Sequence, residues 1–439
     1  MDKTKVRTRI APSPTGIPHI GTARQSLFDY LLAKRYKGEF ILRIEDTDQK
    51  RFVPGSVEAM YEISEFLGLI PDESPIKPGK FGPYIQTKRL KLYQKYIKQL
   101  INNGDAYEDD GAVRIKMPKS GYTVWKDLIQ GKISIPNEEV DDKVLLKSDG
   151  IPTYHLAVVV DDHLMNISHI IRGAEWIVST PVHLKIYESL GWEKPVFMHT
   201  PLILGPDKAK LGKRHGAKNV LQYRDEGYLP EAINNFLFYL GFSYQDNSAI
   251  LTLEEMVKIF DETKLQKQNA IFDIQKLNYF NSKWIKKLDT KDLKKRLIPF
   301  INKSWQKDLN KINAILPLVK DRLTKLKEVN NLIDFFFDFK KPTLDGLLDN
   351  SQASPKMTLS WLTAVKNILV DLEDFSSDSI HEALKQAQES VDLSPRQAFM
   401  SLRLATTGKT ITPPLFDCLA ILEKKESLTR LEQSISLFK

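Results

Sequence analysis

Apolar positions in the first eighty residues alternate between two periods. Residues 5–11 are β-prone and apolar until the Pro-Ser-Pro-Thr-Gly run at 12–16 interrupts them. Ala23, Leu27, Phe28, Leu31 and Leu32 then recur at helical offsets, with Gly38 as the stop. Residues 40–44 read as a buried strand running into Glu45-Asp46-Thr47-Asp48, and 55–67 as a second amphipathic helix. Strand, helix and strand at these spacings predict parallel pairing in a doubly wound sheet.

Leu90, Tyr93, Ile97, Leu100 and Ile101 mark a further helix, ended by Asn103-Gly104. The pattern then changes to short strands at 112–116, 132–135 and 144–147, separated by Gly, Pro and Asp turns, which predicts an inserted antiparallel piece. The α/β pattern resumes near Tyr154, with a strand at 168–171 and a helix capped by Thr180, opened by Pro181 and ended at Gly191. A strand over 196–204 leads into the polar loop 205–216. Beyond Tyr228 every long segment is helical in period, and no internal repeat is visible. The predicted fold class is α/β: a doubly wound parallel-sheet (Rossmann-type) domain split by an α+β insertion, followed by all-α C-terminal domains.

Composition narrows the picture. A chain of 439 residues, 42% hydrophobic and 27% charged, is globular and long enough for two to four domains. It has no apolar run of about 18 residues to cross a membrane, and its opening residues carry no apolar signal core. A single cysteine, Cys418, allows neither an internal disulfide nor a Cys-rich zinc site, so a reducing cytoplasmic setting is expected, with no structural zinc. The net charge of +8 is uneven: residues 283–327 hold fourteen basic and four acidic side chains. That stretch is either a solvated helix face or a surface that tracks phosphates. Its aromatics Trp284, Phe300 and Trp305 read first as core and only second as base-stacking platforms.

Two strings carry candidate chemistry. Pro18-His19-Ile20-Gly21 follows a strand and a Pro-rich loop at the start of a helix, where unpaired N–H groups favour phosphate. Gly21 admits a close approach to the backbone, and His19 can donate to phosphate oxygens as charge develops. The second string, 208–216, places Lys208, Lys210, Lys213 and Arg214 in seven positions flanked by glycines. Such a loop can neutralise a pyrophosphate leaving group, though each string alone is also consistent with an ordinary helix start and an exposed basic turn. Both fall at the carboxyl ends of predicted strands, where open α/β sheets bind ligands.

Together with RIAPSPTG at 9–16, PHIGTA at 18–23, FILRIEDTD at 40–48, LLKSDG at 145–150, PTYHLA at 152–157 and LATTG at 404–408, these strings strongly resemble the bacterial-type glutamyl-tRNA synthetases, class I aminoacyl-tRNA synthetases. The resemblance runs over essentially the whole chain. It implies ATP binding by Pro18, His19, Gly21, Lys210 and Lys213, with His19, Lys210 and Lys213 catalytic. It implies a glutamate pocket of Arg9 for the side-chain carboxylate, Ser13 and Glu45 for the amino end, and Tyr154 and Arg172. Two arginines and one glutamate complement a ligand with two carboxylates and one ammonium.

The resemblance further implies Mg²⁺ with the ATP, tRNA(Glu) as partner with tRNA(Gln) as a further candidate, tRNA-dependent glutamate activation and a monomeric enzyme. It divides the chain into a catalytic domain (1–80 and 151–227), an acceptor-end insertion (81–150), a helical stem-contact domain (228–284) and a helical anticodon-binding domain (285–439). Two positions depart from the family pattern: Val158 replaces the usual Asn, and Gly212 the usual Ser. The insertion is also shorter than is typical. A glutaminyl-tRNA synthetase would end in β-barrels, a tRNA-modifying paralogue would lack the anticodon half, and a catalytically dead tRNA-binding protein would be under no demand to keep its cationic loop.

Overall fold

The computed structural model describes residues 5–212 and 218–439. They fall into two compact units, Met1–Asn281 and Ser282–Lys439.

The first unit begins with β1 (Arg7–Ile10), α1 (Ile20–Arg35) and β2 (Glu39–Leu42). β1 and β2 pair in parallel, Arg9 opposite Ile41, as the strand–helix–strand spacing predicts. All four residues of β1 are buried, because both faces of the sheet are covered. Alternation sorts them by face. The Thr8 hydroxyl donates to the Asp29 carbonyl of α1 at 2.7 Å. Arg7 and Arg9 point the other way, Arg7 donating to the Met165 carbonyl at 2.9 Å and Arg9 to Asp162. α2 (Ser56–Leu67) and α3 (Leu90–Asn102) follow.

The inserted segment holds five strands where the sequence pattern indicated three: β3 (Ala106–Asp109), β4 (Ala112–Ile115), β5 (Tyr122–Asp127), β6 (Gly131–Pro136) and β7 (Val144–Leu146). β3, β4 and β7 form one antiparallel sheet, and β5 and β6 a hairpin. The two extra strands escaped the pattern because three of the four residues of β3 are exposed and β5 carries alternating exposed positions, leaving little apolar periodicity.

The doubly wound pattern then resumes with α4 (Tyr154–Leu164), β8 (His169–Gly173), α5 (Thr180–Ser189) and β9 (Val196–Thr200). β8 and β9 are parallel. The two parallel pairs meet where Ser168 N–H donates to the Arg7 carbonyl at 3.0 Å and the Arg7 N–H to Ser168 Oγ at 2.8 Å. β1 therefore leads outward to β2 on one side and β8 to β9 on the other, which makes the β1/β8 junction the topological switch point of the sheet. The strand foreseen over 196–204 is broken at Pro201, after which β10 (Ile203–Leu204) pairs with β11 (Ala270–Ile271). α6 (Val220–Asp225), α7 (Pro230–Tyr239), α8 (Leu253–Ile259) and α9 (Ile274–Lys287) complete the element order here.

The second unit is helical throughout its described elements: α10 (Thr290–Leu297), α11 (Leu309–Lys320), α12 (Val329–Ile333), α13 (Leu344–Ser351), α14 (Pro355–Asp371), α15 (Ser377–Glu389), α16 (Pro395–Thr407) and α17 (Leu415–Ile435). Its core gathers Leu347, Trp361, Leu362, Leu402 and Leu419, and the Trp361 indole donates to the Ala398 carbonyl at 2.8 Å. Trp305 is also interior, stacked on Phe337 with its indole N–H on Asp338 at 2.8 Å.

Candidate active site

The two segments expected to meet the phosphates are assembled by backbone pairing. His19 caps α1: its Nδ1 accepts from Gly21 N–H at 3.0 Å. With Nδ1 serving as acceptor, the neutral ring carries its proton on Nε2, leaving a donor for a ligand. Burial and then the nearby Lys210 charge hold the His19 pKa below its ordinary value, so the ring is neutral near pH 7. Gly21 is required by this cap, since a Cβ there would lie 2.9 Å from His19 Cε1.

The basic segment is folded onto β10. Gly205 N–H donates to the Ala209 carbonyl at 2.8 Å, Leu211 N–H to the Ile203 carbonyl at 3.0 Å, and Lys210 pairs with Leu204. Lys210 Nζ stands 4.0 Å from Glu175 Oε1. On the far side of the loop Asn219 bridges to His19, and Val220 N–H reaches the Pro18 carbonyl at 3.4 Å. The structure thus brings Pro18, His19, Gly21 and Lys210 together; Lys213 lies outside the described residues. At Gly212 a Cβ would meet only the Lys210 carbonyl, at 3.9 Å, so space alone does not demand glycine.

The second cluster fills the switch point. Tyr154, Val158 and Asp162 stand at helical spacing on α4. Arg9 grips Asp162 with Nε at 2.9 Å and Nη2 at 3.1 Å, both residues buried. The forked edge that the resemblance assigns to substrate is therefore engaged internally, and Nη1 is the nitrogen left over. Arg43 donates to the same Asp162 at 2.8 Å and to Glu45 Oε1 at 2.9 Å. Asp161 accepts from Arg89 at 2.6 Å, Tyr93 at 2.8 Å and Gln86 at 3.0 Å. Ser13 is exposed on the loop beyond β1, and its neighbour Pro12 accepts from Glu45 N–H at 3.1 Å.

Arg172 differs from these arginines. It is 5% exposed and has no carboxylate paired with it among the described residues. Its donors meet neutral acceptors: His199 Nε2 at 3.0 Å, His183 Nδ1 at 2.9 Å, Thr180 Oγ1 at 2.8 Å and the Tyr154 hydroxyl at 3.3 Å. The Thr180 hydroxyl, expected to cap α5, serves Arg172 instead; Ser179 is the N-cap residue. His183 in turn lies 3.2 Å from His155 Nδ1. Burial pushes the His183 pKa well below its ordinary value and that of His155 to about 4, so both rings are neutral.

Charge around Tyr154 can be counted. Arg9, Arg43 and Arg89 face Asp161, Asp162 and Glu45. Asp29 has both oxygens buried without a hydrogen-bond partner, and burial drives its pKa well upward; burial also raises that of Glu45, against the pull of Arg43. Of the four arginines around Tyr154, Arg172 is the one with no carboxylate paired to it among the described residues. The histidines and Thr180 around it escaped sequence reasoning. The parallel register of β8 and β9 sets Arg172 opposite His199, and α5 brings Thr180 and His183 to the same side chain.

Among the described residues no group of three or more His, Cys, Asp or Glu side chains could hold a metal ion, and no helix is long and apolar enough to cross a membrane.

Comparison with known proteins agrees with this arrangement. Residues 5–112 and 108–279 match the catalytic domain of class I tRNA synthetases (E and Q), and 292–435 match an anticodon binding domain. Glutamate–tRNA ligases from Dehalococcoides mccartyi and Herpetosiphon aurantiacus are 39% and 38% identical, each over 98% of this chain and 97% of their own. A glutamate tRNA ligase from Elizabethkingia meningosepticum, crystallised in complex with its amino acid, superposes with a TM-score of 0.88 at 33% identity, covering 99% of this chain and 100% of that one. With the Rossmann-like core in place and relatives matched over nearly the whole chain, the chain belongs to the glutamate–tRNA ligase family of class I aminoacyl-tRNA synthetases.

Proposed function

We propose that the two clusters are halves of one adenylate-forming site, in which an ATP-dependent aminoacyl-tRNA ligase joins glutamate to tRNA. The observation that carries this reading is the buried Arg172, which has no carboxylate paired to it among the described residues. Glutamate brings two carboxylates, one for Arg172 and one for Arg9 Nη1; glutamine brings a single carboxylate and leaves one of the two guanidinium edges without an anion. An uncompensated buried charge costs about 3 kcal/mol, or roughly two orders of magnitude in discrimination. In this reading one glutamate carboxylate meets Arg172 and the Tyr154 hydroxyl, and the other is within reach of Arg9 Nη1. The ammonium faces Glu45, and Ser13 closes the loop side.

The glutamate α-carboxylate oxygen attacks the α-phosphorus of ATP. A P–O bond forms to give glutamyl-adenylate as the bond to the β-phosphate breaks, releasing pyrophosphate. His19 Nε2–H and Lys210, with Lys213 from the adjoining segment, stabilise the charge that develops on the phosphates. A terminal ribose hydroxyl of tRNA then takes the acyl group and AMP leaves. Mg²⁺ would enter on the triphosphate and supply further neutralisation of its oxygens, with Glu175, 4.0 Å from Lys210, a carboxylate on that side. The partner is tRNA(Glu), with tRNA(Gln) a second candidate, and the working unit is one copy of the chain in the cytoplasm. In domain terms, residues 81–150 hold the acceptor end, 228–284 the stem and 285–439 the anticodon.

The test is ATP–pyrophosphate exchange in the presence of tRNA(Glu). Wild-type protein is expected to exchange with glutamate, weakly without tRNA and little with glutamine. Arg172→Gln is expected to raise the glutamate KM by about a hundredfold while the ATP KM shifts little. Exchange with glutamine at the glutamate level, or an Arg172→Gln protein with an unchanged glutamate KM, would contradict the reading.

A further inference from the structure

A buried carboxylate of the inserted segment, Asp127, ends β5 and touches neither half of the proposed site. Its side chain is fully enclosed. Oδ1 accepts from the Ile129 and Gln130 N–H groups at 3.0 and 2.9 Å, which fixes the turn between β5 and β6. Both oxygens accept from the His199 N–H at 3.2 Å, and Oδ2 lies 2.6 Å from His199 Nδ1. The same turn is laced to β9 twice more, by Leu128 N–H on the Phe197 carbonyl at 2.9 Å and Gln130 Nε2 on the His199 carbonyl at 2.9 Å. These hydrogen bonds outweigh burial and hold the Asp127 pKa below its ordinary value, so it is ionised.

The consequence falls on His199. A carboxylate at Nδ1 keeps the ring proton on Nδ1 and leaves a lone pair on Nε2. That lone pair receives Arg172 Nε–H at 3.0 Å. The other His199 tautomer would turn an N–H against an N–H, and Arg172 would lose the contact that orients its plane. Thr180 Oγ1, 3.3 Å from His199 Nε2 and 2.8 Å from Arg172 Nη2, completes the edge.

We infer that Asp127 is a positioning residue for amino-acid recognition, acting through the His199 tautomer on Arg172, so that the inserted segment helps set glutamate affinity without touching glutamate. This inference rests on the role proposed for Arg172. It explains why a buried ionised carboxylate is kept where a turn could be closed by an amide, and why β9 presents a histidine to the site.

The discriminating variant is Asp127→Asn. The amide can still accept the two turn N–H groups, but its NH2 faces His199 Nδ1 and selects the wrong tautomer. In tRNA-dependent exchange the glutamate KM is expected to rise about tenfold or more, with the ATP KM and the melting temperature little changed. His199→Gln supplies the control, because its carbonyl can accept from Arg172 with no tautomer to fix. In that background Asp127→Asn is expected to add less than about twofold, the signature of two residues acting in series. An unchanged glutamate KM in Asp127→Asn overturns the inference, as does an equal rise in both KM values or an equal effect in the two backgrounds. Should Asp127→Asn not fold, His199→Leu, which removes the acceptor, must raise the glutamate KM more than His199→Gln, and equality of the two overturns it. Wild-type protein that shows no glutamate-dependent exchange would instead refute the functional reading beneath it.

Discussion

His19 and Gly21 work as one unit. The glycine has no left-handed backbone to excuse it; what excludes a side chain is the imidazole lying over its N–H, 2.9 Å from where a Cβ would sit. Gly21→Ala is therefore expected to push the ring out of its cap, and to lower exchange turnover at saturating glutamate by about tenfold or more. The glutamate KM should change little, and a matching rise there would separate His19 from the phosphate role. At this scale the sequence was partly legible. His19, Lys210, Arg9, Glu45, Tyr154 and Arg172 could be picked out from strings and resemblance. Their partnerships could not, because Asp162 lies 153 residues from Arg9, and His183 and His199 stand 11 and 27 residues beyond Arg172 on other elements. Arg9 shows the difference: its charge was legible, its internal pairing with Asp162 was not.

Elements set what single residues can do. α4 carries Tyr154, Val158 and Asp162 toward the switch point and His155 toward His183 on α5. Burial holds His155 at about 4, against an ordinary value of 6.5 in the unfolded chain. Between those values the unfolded state binds the proton that the folded state refuses, so stability is full above about 6.5 and falls as pH drops toward 4. Melting temperature measured across that window should decline on acidification, and His155→Gln should flatten the decline. An identical slope in the variant would exclude His155 as its source. In the second unit α16 ends at Gly408, whose φ of +69° and Cβ position 2.2 Å from the Lys340 carbonyl both forbid a side chain. Gly408→Ala is expected to cost about 2–3 kcal/mol, read as a lower melting temperature of the second unit. Helices and the parallel strands were legible because burial imposes strong periods; the hairpin strands β3 and β5 were not, since their exposed positions erase the signal.

Over the whole molecule, two family matches follow one another along the chain: a catalytic one within 5–279 and an anticodon-binding one over 292–435. The stretch 283–327, rich in lysine and arginine, gives tRNA affinity a salt dependence if it tracks phosphates, whereas Trp305, once a candidate platform, is committed to Phe337 and Asp338. What no composition or periodicity revealed is the pairing inside the pocket, in which Arg9, Arg43 and Arg89 meet carboxylates and Arg172 meets only neutral acceptors. The measurement that tests this most directly is charging of purified tRNA(Glu) by the purified protein, with glutamate and glutamine supplied separately alongside ATP. Glutamate should be attached at least about a hundredfold more efficiently than glutamine; charging of glutamine at a comparable rate, or of neither amino acid, would contradict the account.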